Sequence, residues 1–378
     1  LNRGVALIMK VPLSQPDINE QDIVAVLDVL RTNQLSIGPK VIEFEKIMAH
    51  LAGQKHGVAV NSGTSGLHLI VRAMGLKDDD EVITTPFSFV ASSNCLLFER
   101  AKPVFVDIDP DMLNMDANRI ERAITPKTKA ILAVHAFGHV ADMDPIQEIA
   151  RRHGLRVIED SCEAIGAEYK GRPAGSLGDA GVFAFYPNKQ MTTGEGGVIV
   201  TNDDEIAALC RSMRNQGRGE GDRWLYHERL GYNYRLDELS SALGVSQVSR
   251  IDEILAMRAD AAVRYNRRLK SVADIRLPYI ADYAKMSWFI YVIRLADGIN
   301  REQVMQKLAD NGIGCRPYFA PIHLQPFFRE MFGYKEGDFP ITEQVSGSTI
   351  ALPFFNRITD EQIDYVADIL EKAIEQQR

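Results

Sequence analysis

The chain has 378 residues, enough for roughly two or three domains with a large buried core. Its composition, 46% hydrophobic and 25% charged, is ordinary for a globular protein, and its net charge of −8 argues against a nucleic-acid or anionic-membrane partner. No apolar run approaches the roughly 18 residues of a membrane span, and Leu1–Val11 is too short for a secretory signal. The cysteines lie far apart without a CxxC pair, so we expect free thiols, no metal site and a cytoplasmic location.

The first 50 residues predict two amphipathic helices. Asn19-Glu-Gln-Asp22 is a typical helix start, and apolar residues follow it at helical spacing. A loop at Leu35–Pro39 then precedes a second helix that runs through Phe44 and Ile47. Both helices come before the first predicted strand.

From residue 57 onward, short apolar strands alternate with helical patterns. Strands are predicted at 57–60, 81–84, 103–107, 130–134 and 155–159, and helices at 67–74, 91–98, 116–124 and 144–153. This alternation predicts an α/β fold with a mostly parallel sheet covered on both faces. Ligand sites are then expected beyond the carboxyl ends of the strands.

The second half of the chain changes character near residue 275. Strands at 182–186 and 198–201 are followed by a helix-rich stretch, 203–270. Beyond it we predict a strand at 287–295, a helix at 302–311, a strand-like segment at 313–319 and a final helix at 360–376. We therefore predict a large domain over 13–250 and a smaller α+β domain over 251–378.

Lys189 follows one of these strands and enters a turn rich in threonine and glycine. The order strand, lysine, glycine turn, strand places an amine at the mouth of a sheet, where backbones can approach a ligand closely. Such an amine can form an imine with an aldehyde, and pyridoxal 5'-phosphate (PLP) is the leading aldehyde cofactor. Taken alone, a solvated surface lysine is the commoner interpretation.

Three other strand ends carry residues that suit the same cofactor. Ser62-Gly-Thr-Ser65 opens a helix and suits a phosphate, although an ordinary N-cap is the alternative. Phe87 or Phe89 can stack on a flat ring, or fill the core. Asp160 ends a buried strand and can keep a pyridine nitrogen protonated, or cap a helix, whereas Glu159 should face a structural partner.

Four motifs occur in order along the chain: Ser62-Gly-Thr-Ser65, Glu159-Asp-Ser-Cys-Glu-Ala-Ile-Gly166, Lys189 with Thr192-Thr-Gly-Glu-Gly-Gly197, and Leu230-Gly-Tyr-Asn-Tyr-Arg235. With these motifs the chain resembles the DegT/DnrJ/EryC1/StrS family of PLP-dependent nucleotide-sugar aminotransferases. The resemblance covers nearly the whole chain from about Leu13. It implies an aspartate-aminotransferase-like (fold type I) homodimer with shared active sites, acting on nucleotide-linked keto-sugars with an amino-acid donor.

The resemblance also assigns roles to single residues. Lys189 would form the imine with PLP and Asp160 would hold the ring nitrogen, so these two are the expected catalytic residues. The other expected cofactor contacts are Gly63 and Thr64 at the phosphate, Phe89 on the ring, Glu163, and Asn233 reaching the phosphate of the neighbouring subunit. The expected substrate contacts are Arg235 at the dimer interface and Tyr318 and His323 in a C-terminal motif, where a packed histidine is an equal alternative.

Two positions depart from the pattern of many family members. Ala184 stands where many have a phosphate-binding serine, and Glu163 stands where many have glutamine. With Glu163, and with Asn188 directly before the lysine, the chain resembles the GDP-perosamine synthase branch of the family at these positions. Lys189 itself excludes the family's sugar dehydratases, which carry histidine there.

The resemblance implies a ping-pong transamination from an amino acid, L-glutamate by family, to a nucleotide-linked keto-sugar, in polysaccharide or glycan biosynthesis. The features similar to perosamine synthases favour C4 as the position of the ketone. The anionic substrate needs local cations, and the candidates are Arg218, Arg223, Arg229 and Arg235. For the first three, a solvated surface position is an equal alternative. Three alternatives stay open: a PLP-dependent lyase or aldolase of the same fold, a non-catalytic regulator that binds PLP or a sugar nucleotide, and a structural relative without PLP.

Overall fold

A computed structural model describes residues 9–219 and 225–377 of the protein. Its helices are α1 Glu20–Leu30, α2 Pro39–Leu51, α3 Gly63–Ala73, α4 Ala91–Leu97, α5 Met143–His153, α6 Asp204–Arg214, α7 Glu238–Ser249, α8 Ile251–Leu269, α9 Arg301–Asp310, α10 Pro326–Phe332, α11 Pro340–Ser348 and α12 Asp360–Glu375. Its strands are β1 His56–Val60, β2 Glu81–Thr84, β3 Lys102–Phe105, β4 Thr128–Val134, β5 Arg156–Asp160, β6 Glu168–Tyr169, β7 Arg172–Pro173, β8 Ala180–Ala184, β9 Gly197–Thr201, β10 Ile275–Arg276, β11 Ala284–Lys285, β12 Tyr291–Leu295 and β13 Thr349–Leu352. No helix in these ranges is long and apolar enough to cross a membrane.

The central sheet has seven strands in the order β1-β9-β8-β5-β4-β2-β3. All neighbouring pairs are parallel except those of β9, which runs antiparallel to both β1 and β8. The register aligns Val134 with Asp160 and Asp160 with Val182. The carboxyl ends of β4, β5 and β8 therefore meet at one edge, as a parallel sheet requires.

Helices cover both faces of this sheet, because its strands are apolar on both sides. In β4, Leu132 and Val134 pack with α3 and α6, whereas Ile131 and Ala133 pack with α5 on the opposite face. Alternate residues of a strand point to opposite faces, so a continuous apolar run needs cover on each. The large, mostly parallel α/β domain predicted from the sequence is confirmed.

A second, antiparallel sheet in the order β10-β12-β13 lies in the C-terminal part. Tyr291 of this sheet packs with Tyr265 of α8 and Leu308 of α9 in a separate core. The same helix α8 also carries Ile254, which belongs to a core cluster of the large sheet. Helix α8 thus joins the two cores, and the boundary between 13–250 and 251–378 stays a prediction.

Several segments differ from the sequence-based prediction. The segment expected to be a helix at 116–124 consists of two 3₁₀ turns, Ala117–Arg119 and Glu121–Ala123, and the backbone becomes extended at Ile124. Segment 313–319, predicted to be strand-like, forms isolated bridges at Ile313 and Arg316. The strand that pairs with β12 is β13, which the sequence did not predict. The helix-rich stretch 203–270 is interrupted between α6 and α7. Short segments without strong periodicity take their structure from tertiary contacts.

Candidate active site

A cavity of about 430 Å³ lies at the carboxyl edge of the central sheet. The turns after β1, β2, β5 and β8 supply much of its lining, and Phe289 and Tyr318 supply part of the C-terminal side. This volume falls in the usual range of small-molecule sites, about 300–1,000 Å³. The strand ends that the sequence singled out therefore meet in one pocket.

The N-terminus of α3 forms one part of this lining. Ser62 caps the helix, and its hydroxyl accepts a hydrogen bond from the Ser65 N–H at 3.1 Å. A Cβ on Gly63 would lie 2.7 Å from both the Ala184 Cβ and the Cys162 Sγ, so only glycine fits here. Because the first N–H groups of a helix lack intrahelical acceptors, Gly63 and Thr64 present a site suited to a phosphate.

Asp160 ends β5 and is 7% exposed. Its Oδ2 accepts from the Ser92 hydroxyl at 2.7 Å, and its Oδ1 accepts from the Cys162 N–H at 3.1 Å. These two donors orient the carboxylate and offset part of the cost of burying it. Asp160 lines the cavity, as expected for a group that faces a ring nitrogen.

Its neighbour Glu159 points to the other side and is fully buried. Its carboxylate accepts hydrogen bonds from the backbone N–H groups of Gly175, Leu177 and Gly178 at 2.5–2.8 Å. His135 lies 2.9 Å away and accepts the Ala141 N–H through Nδ1, so Nε2 donates to Glu159. Glu159 thus has structural partners and supports the strand end that carries Asp160.

Lys189 projects into the same cavity from the turn after β8. Its Nζ lies 3.4 Å from Glu163 Oε1 and 4.0 Å from the centre of the Phe289 ring. The two charged side chains are only 13% and 10% exposed. The amine is therefore enclosed between a carboxylate and an aromatic face.

Glu163 is held from its other side by the Phe137 N–H, which donates to Oε2 at 2.8 Å. Burial raises the pKa of the Glu163 carboxyl, and the charge of Lys189 opposes this increase. Burial likewise raises the pKa values of Cys162 and Tyr318, so both are neutral at neutral pH. Among these groups, Glu163 and Lys189 are the pair placed to exchange a proton.

The two candidate stacking rings occupy different surroundings. Phe89 is 63% exposed and lines the cavity, whereas Phe87 is fully buried against Phe137 and Phe319. Phe89 is thus the ring available to a ligand, and its role as a stacking residue stays a prediction. Tyr318 also lines the cavity.

Three expected site residues lie away from the cavity of this protomer. Asn233 is exposed, and Arg235 donates to the Asn215 side chain at 3.0 Å. His323 is fully buried, with Nε2 3.0 Å from Glu343, which matches the packed-histidine alternative. Roles for Asn233 and Arg235 across a dimer interface, and for His323 at the substrate, stay predictions; Arg223 lies outside the described residues.

Sequence reasoning missed several residues of the site. Ser92 binds Asp160 from 68 positions away, and Phe289 lies beside Lys189 although it is 100 positions later in the chain. Tyr186 and Glu195 also line the cavity. The last two flank Lys189 in its own motif and could have been proposed from that proximity, whereas Ser92 and Phe289 carry no local signal.

The residues present fit PLP. The α3 N-terminus and the cradle at Gly63 suit the phosphate, Asp160 suits a protonated ring nitrogen, and Lys189 suits the aldehyde. The Oδ1 atom of Asn188, beside the lysine at the cavity, is buried without a hydrogen-bond partner. A polar ligand in the cavity would offer it one.

Comparisons with known proteins identify the family of this chain. The sequence profile of the DegT/DnrJ/EryC1/StrS aminotransferase family matches residues 16–371. A GDP-perosamine synthase from Caulobacter vibrioides is 40% identical over 362 residues, which cover 95% of this chain and 96% of that protein. Two solved structures superpose on this chain with TM-scores of 0.90 and 0.92. The first is S. venezuelae DesV in complex with a ketimine intermediate. The second is Helicobacter pylori PseC, an aminotransferase involved in the biosynthesis of pseudoaminic acid. They are 32% and 30% identical, and the alignments cover 97% of this chain with 99% and 100% of the respective structures.

The fold and the comparisons define a PLP-dependent transferase of fold type I. The chain belongs to the DegT/DnrJ/EryC1/StrS family and is a PLP-dependent sugar aminotransferase. The expected family, fold class and enzyme class are therefore confirmed. The identity of its substrates is a separate question.

Proposed function

We propose that the enzyme transfers an amino group from L-glutamate to the C4 ketone of a nucleotide-diphosphate-linked sugar, for polysaccharide or glycan biosynthesis. The observation that carries this proposal is the presence of Lys189 and Asp160 in one cavity of a sugar-aminotransferase fold. The likeness to a GDP-perosamine synthase supports a GDP-linked keto-sugar as the first substrate to test.

When bound, PLP supplies the aldehyde that takes up the amino group and the ring that delocalises the electron pair left on the substrate carbon. The Nζ of Lys189 would be the group that moves the proton of the donor α-carbon. Asp160, oriented by Ser92, would keep a proton on the ring nitrogen. Gly63 and Thr64 would hold the phosphate through the free N–H groups at the start of α3.

The charges of the lining favour additional cations from outside this protomer. In the described part of the chain, the acids Asp160, Glu163 and Glu195 line the cavity, whereas Lys189 is the single lysine or arginine there. A nucleotide diphosphate and a dicarboxylate donor are both anionic, and need cations for binding. Arg235 of a second subunit is our candidate.

We further propose a homodimer with shared sites. Ile23, Leu27 and Leu30 lie on one face of α1 by helical spacing and are 42–52% exposed, and Leu35 and Ile37 after the helix are 48% and 60% exposed. An apolar surface of this kind supports a protein interface, and a second copy of the chain is the occupant that would bring Asn233 to the neighbouring phosphate.

A reducing compartment is the simplest setting for this enzyme. The four cysteines are free thiols in the structure. Free buried thiols are typical of proteins from reducing compartments. We therefore retain the cytoplasm as the proposed location.

The test is a glutamate-dependent amination assay with purified enzyme, PLP and GDP-, UDP- and dTDP-linked 4-keto- and 3-keto-sugars. We expect amination of a 4-keto-sugar, production of 2-oxoglutarate, and loss of both the covalent cofactor absorption band and turnover in Lys189→Ala. Retention of both in Lys189→Ala would refute the assignment of the lysine.

Other outcomes would favour the alternatives. Cleavage or rearrangement of a free amino acid without sugar amination would indicate a lyase or aldolase. Bound PLP without a half-reaction with any amino acid would indicate a regulator, and a protein that stays colourless after PLP addition would indicate a structural relative.

A further inference from the structure

Glu163 and Lys189 are in contact inside the cavity, and this contact bears on how PLP becomes attached to Lys189. The inference drawn from it rests on the PLP site of the proposed function. Lys189 Nζ lies 3.4 Å from Glu163 Oε1, inside a cavity that leaves the two side chains 13% and 10% exposed. Phe289 closes the other side of the amine with its ring centre at 4.0 Å. The amine and the carboxylate therefore face each other with little water between them.

Both orientation and burial favour proton exchange in this pair. Oε2 of Glu163 is engaged by the Phe137 N–H at 2.8 Å, which leaves Oε1 directed at Lys189. Burial raises the pKa of Glu163, because a desolvated carboxylate is costly. A proton moved from the ammonium to the carboxylate replaces two buried charges by two neutral groups, which an enclosed site tolerates better.

The other acids of the cavity are Asp160 and Glu195, and Cys162 and Tyr318 also line it. The negative charge of Asp160 raises the pKa of Glu163 further. The pKa values of Cys162 and Tyr318 are raised by burial, so the thiol and the phenol stay protonated. Among the cavity's acids, Glu163 is the one whose carboxylate lies 3.4 Å from the Lys189 amine.

We propose that Glu163 accepts the proton that Lys189 must lose before its amine can attack the cofactor aldehyde. In this step the –NH₃⁺ of Lys189 and the –COO⁻ of Glu163 become –NH₂ and –COOH, with one proton moved and no other reactant. An exposed lysine, with a pKa of about 10.4, is almost entirely protonated at pH 7 and reacts slowly with an aldehyde. A glutamine at position 163 could bind the amine but could not take its proton.

The experiment follows covalent capture of PLP by the cofactor-stripped enzyme from about pH 6 to pH 9, a range well below the ordinary lysine pKa. Capture is measured by stopped-flow absorbance and verified at Lys189 by borohydride reduction and mass spectrometry. Wild type should show a shallow pH dependence, and Glu163→Gln should be about tenfold or more slower near pH 6 and approach wild type as the pH rises. Superimposable pH profiles would overturn the proposal.

Two controls separate proton transfer from damage to the site. Pyridoxamine 5'-phosphate has no aldehyde, so its affinity for Glu163→Gln should stay within a few-fold of its affinity for wild type. If this affinity falls by the same factor as the rate of PLP capture, the role of Glu163 is merely structural and the proposal is overturned. Glu168 forms an ion pair with Lys285 at 2.6 Å, outside the cavity. Glu168→Gln removes that carboxylate and should keep the wild-type pH profile of PLP capture. If Glu163→Gln does not fold, Glu163→Asp replaces it, and the proposal then requires a shallow, wild-type-like pH slope.

The outcome is independent of the sugar. Capture of PLP with the predicted dependence on Glu163, but without amination of any keto-sugar, would reject the proposed substrate class and keep this inference. Amination with identical capture profiles in wild type and Glu163→Gln would do the reverse. Absence of PLP capture at Lys189 in wild type would reject both.

Discussion

Gly63 and Ala184 are small residues that shape the end of the cavity where we propose that the phosphate binds. Gly63 admits no Cβ because Ala184 and Cys162 approach it closely, and Ala184 itself lines the cavity. Many family members carry a serine at the position of Ala184, so this chain lacks one hydroxyl at the proposed phosphate site. In this proposal the N-terminus of α3 supplies more of the phosphate binding.

Restoring that hydroxyl should strengthen cofactor binding. A hydrogen bond to a charged acceptor contributes about 1.5–3 kcal/mol, so Ala184→Ser should lower the Kd for PLP by about tenfold or more. Fluorescence titration measures this change. Pyridoxal without its phosphate is the matched control and should bind both proteins equally; an unchanged Kd for PLP would contradict the assignment of this end of the cavity to the phosphate.

His139 makes stability depend on pH at the level of a single residue. It is 3% exposed, its Nε2 accepts the Ala281 N–H at 3.1 Å, and Nδ1 therefore carries the proton and donates to Val140 O at 2.9 Å. Burial lowers its pKa from 6.5 to about 4. The folded state thus requires a neutral imidazole ring. In the unfolded chain the same ring takes up a proton near pH 6.5.

Stability from this group is fully present above pH 6.5 and decreases as the pH falls towards 4. One pKa unit corresponds to about 1.4 kcal/mol, so the free energy of unfolding should fall by about 3 kcal/mol across this range. Urea unfolding at several pH values measures the slope. His139→Gln should be less stable at neutral pH and show a shallower slope; identical slopes in the two proteins would contradict the prediction.

At the scale of elements, α3 connects the proposed phosphate site to the segment that carries Asn233. His68 of α3 lies 2.9 Å from Glu99 and 3.2 Å from the Tyr234 hydroxyl, and Arg72 binds the same Glu99 at 2.7 Å. Tyr232 donates to Glu99 at 3.3 Å and stacks on Tyr234. The two tyrosines flank Asn233, so this cluster holds its backbone in place.

Removing the shared carboxylate should loosen this segment. Glu99 is 12% exposed, and Glu99→Ala leaves Arg72 and His68 without their acceptor, which should cost about 2–3 kcal/mol of the free energy of unfolding. Hydrogen exchange at the Tyr232 and Tyr234 amides, which bond to Met213 and Arg214 carbonyls, should become faster.

Glu121→Ala is the matched control for this change. Glu121 also pairs with an arginine and a histidine, but its side chain is 50% exposed. Solvent screens an exposed pair, which contributes little to stability, so this variant should remain close to wild type in stability and in exchange. Equal losses in both variants would show that burial of Glu99 is not the cause.

At the scale of the whole molecule, the exposed face of α1 is the surface that we assign to a second copy. Its hydrophobic side chains remain exposed although α1 packs on α7 through its other face. Burying this face between two subunits removes apolar surface from water, at about 25 cal/mol per Å². The same association would complete two active sites at once.

A charge on that face should therefore separate the subunits. Leu27→Asp should shift the protein from dimer to monomer in light scattering and reduce sugar amination together with the dimer fraction. Val263 on α8, 62% exposed, offers the matched control, and Val263→Asp should leave the dimer intact. A Leu27→Asp protein that stays dimeric would place the interface elsewhere.

The sequence by itself determined the features that depend on local pattern. The apolar alternation of strands and helices defined the sheet, because buried parallel strands must be apolar on both faces. Asp160, Lys189 and Ser62–Ser65 stood out because each follows a strand, and the ends of parallel strands share one edge. The family motifs then indicated that these residues belong to one PLP site.

Only the tertiary structure decided which distant groups meet. Ser92 donates a hydrogen bond to Asp160, Phe289 packs against the Lys189 amine, and His323 lies within hydrogen-bond distance of Glu343. The order of the strands and the position of the C-terminal segments bring these residues together. None of these contacts has a sequence period or a spacing that predicts it. The pairing of Glu163 with Lys189 is of the same kind: both residues stand in motifs visible in the sequence, but the 3.4 Å contact between them depends on β5 and β8 being neighbours in the sheet.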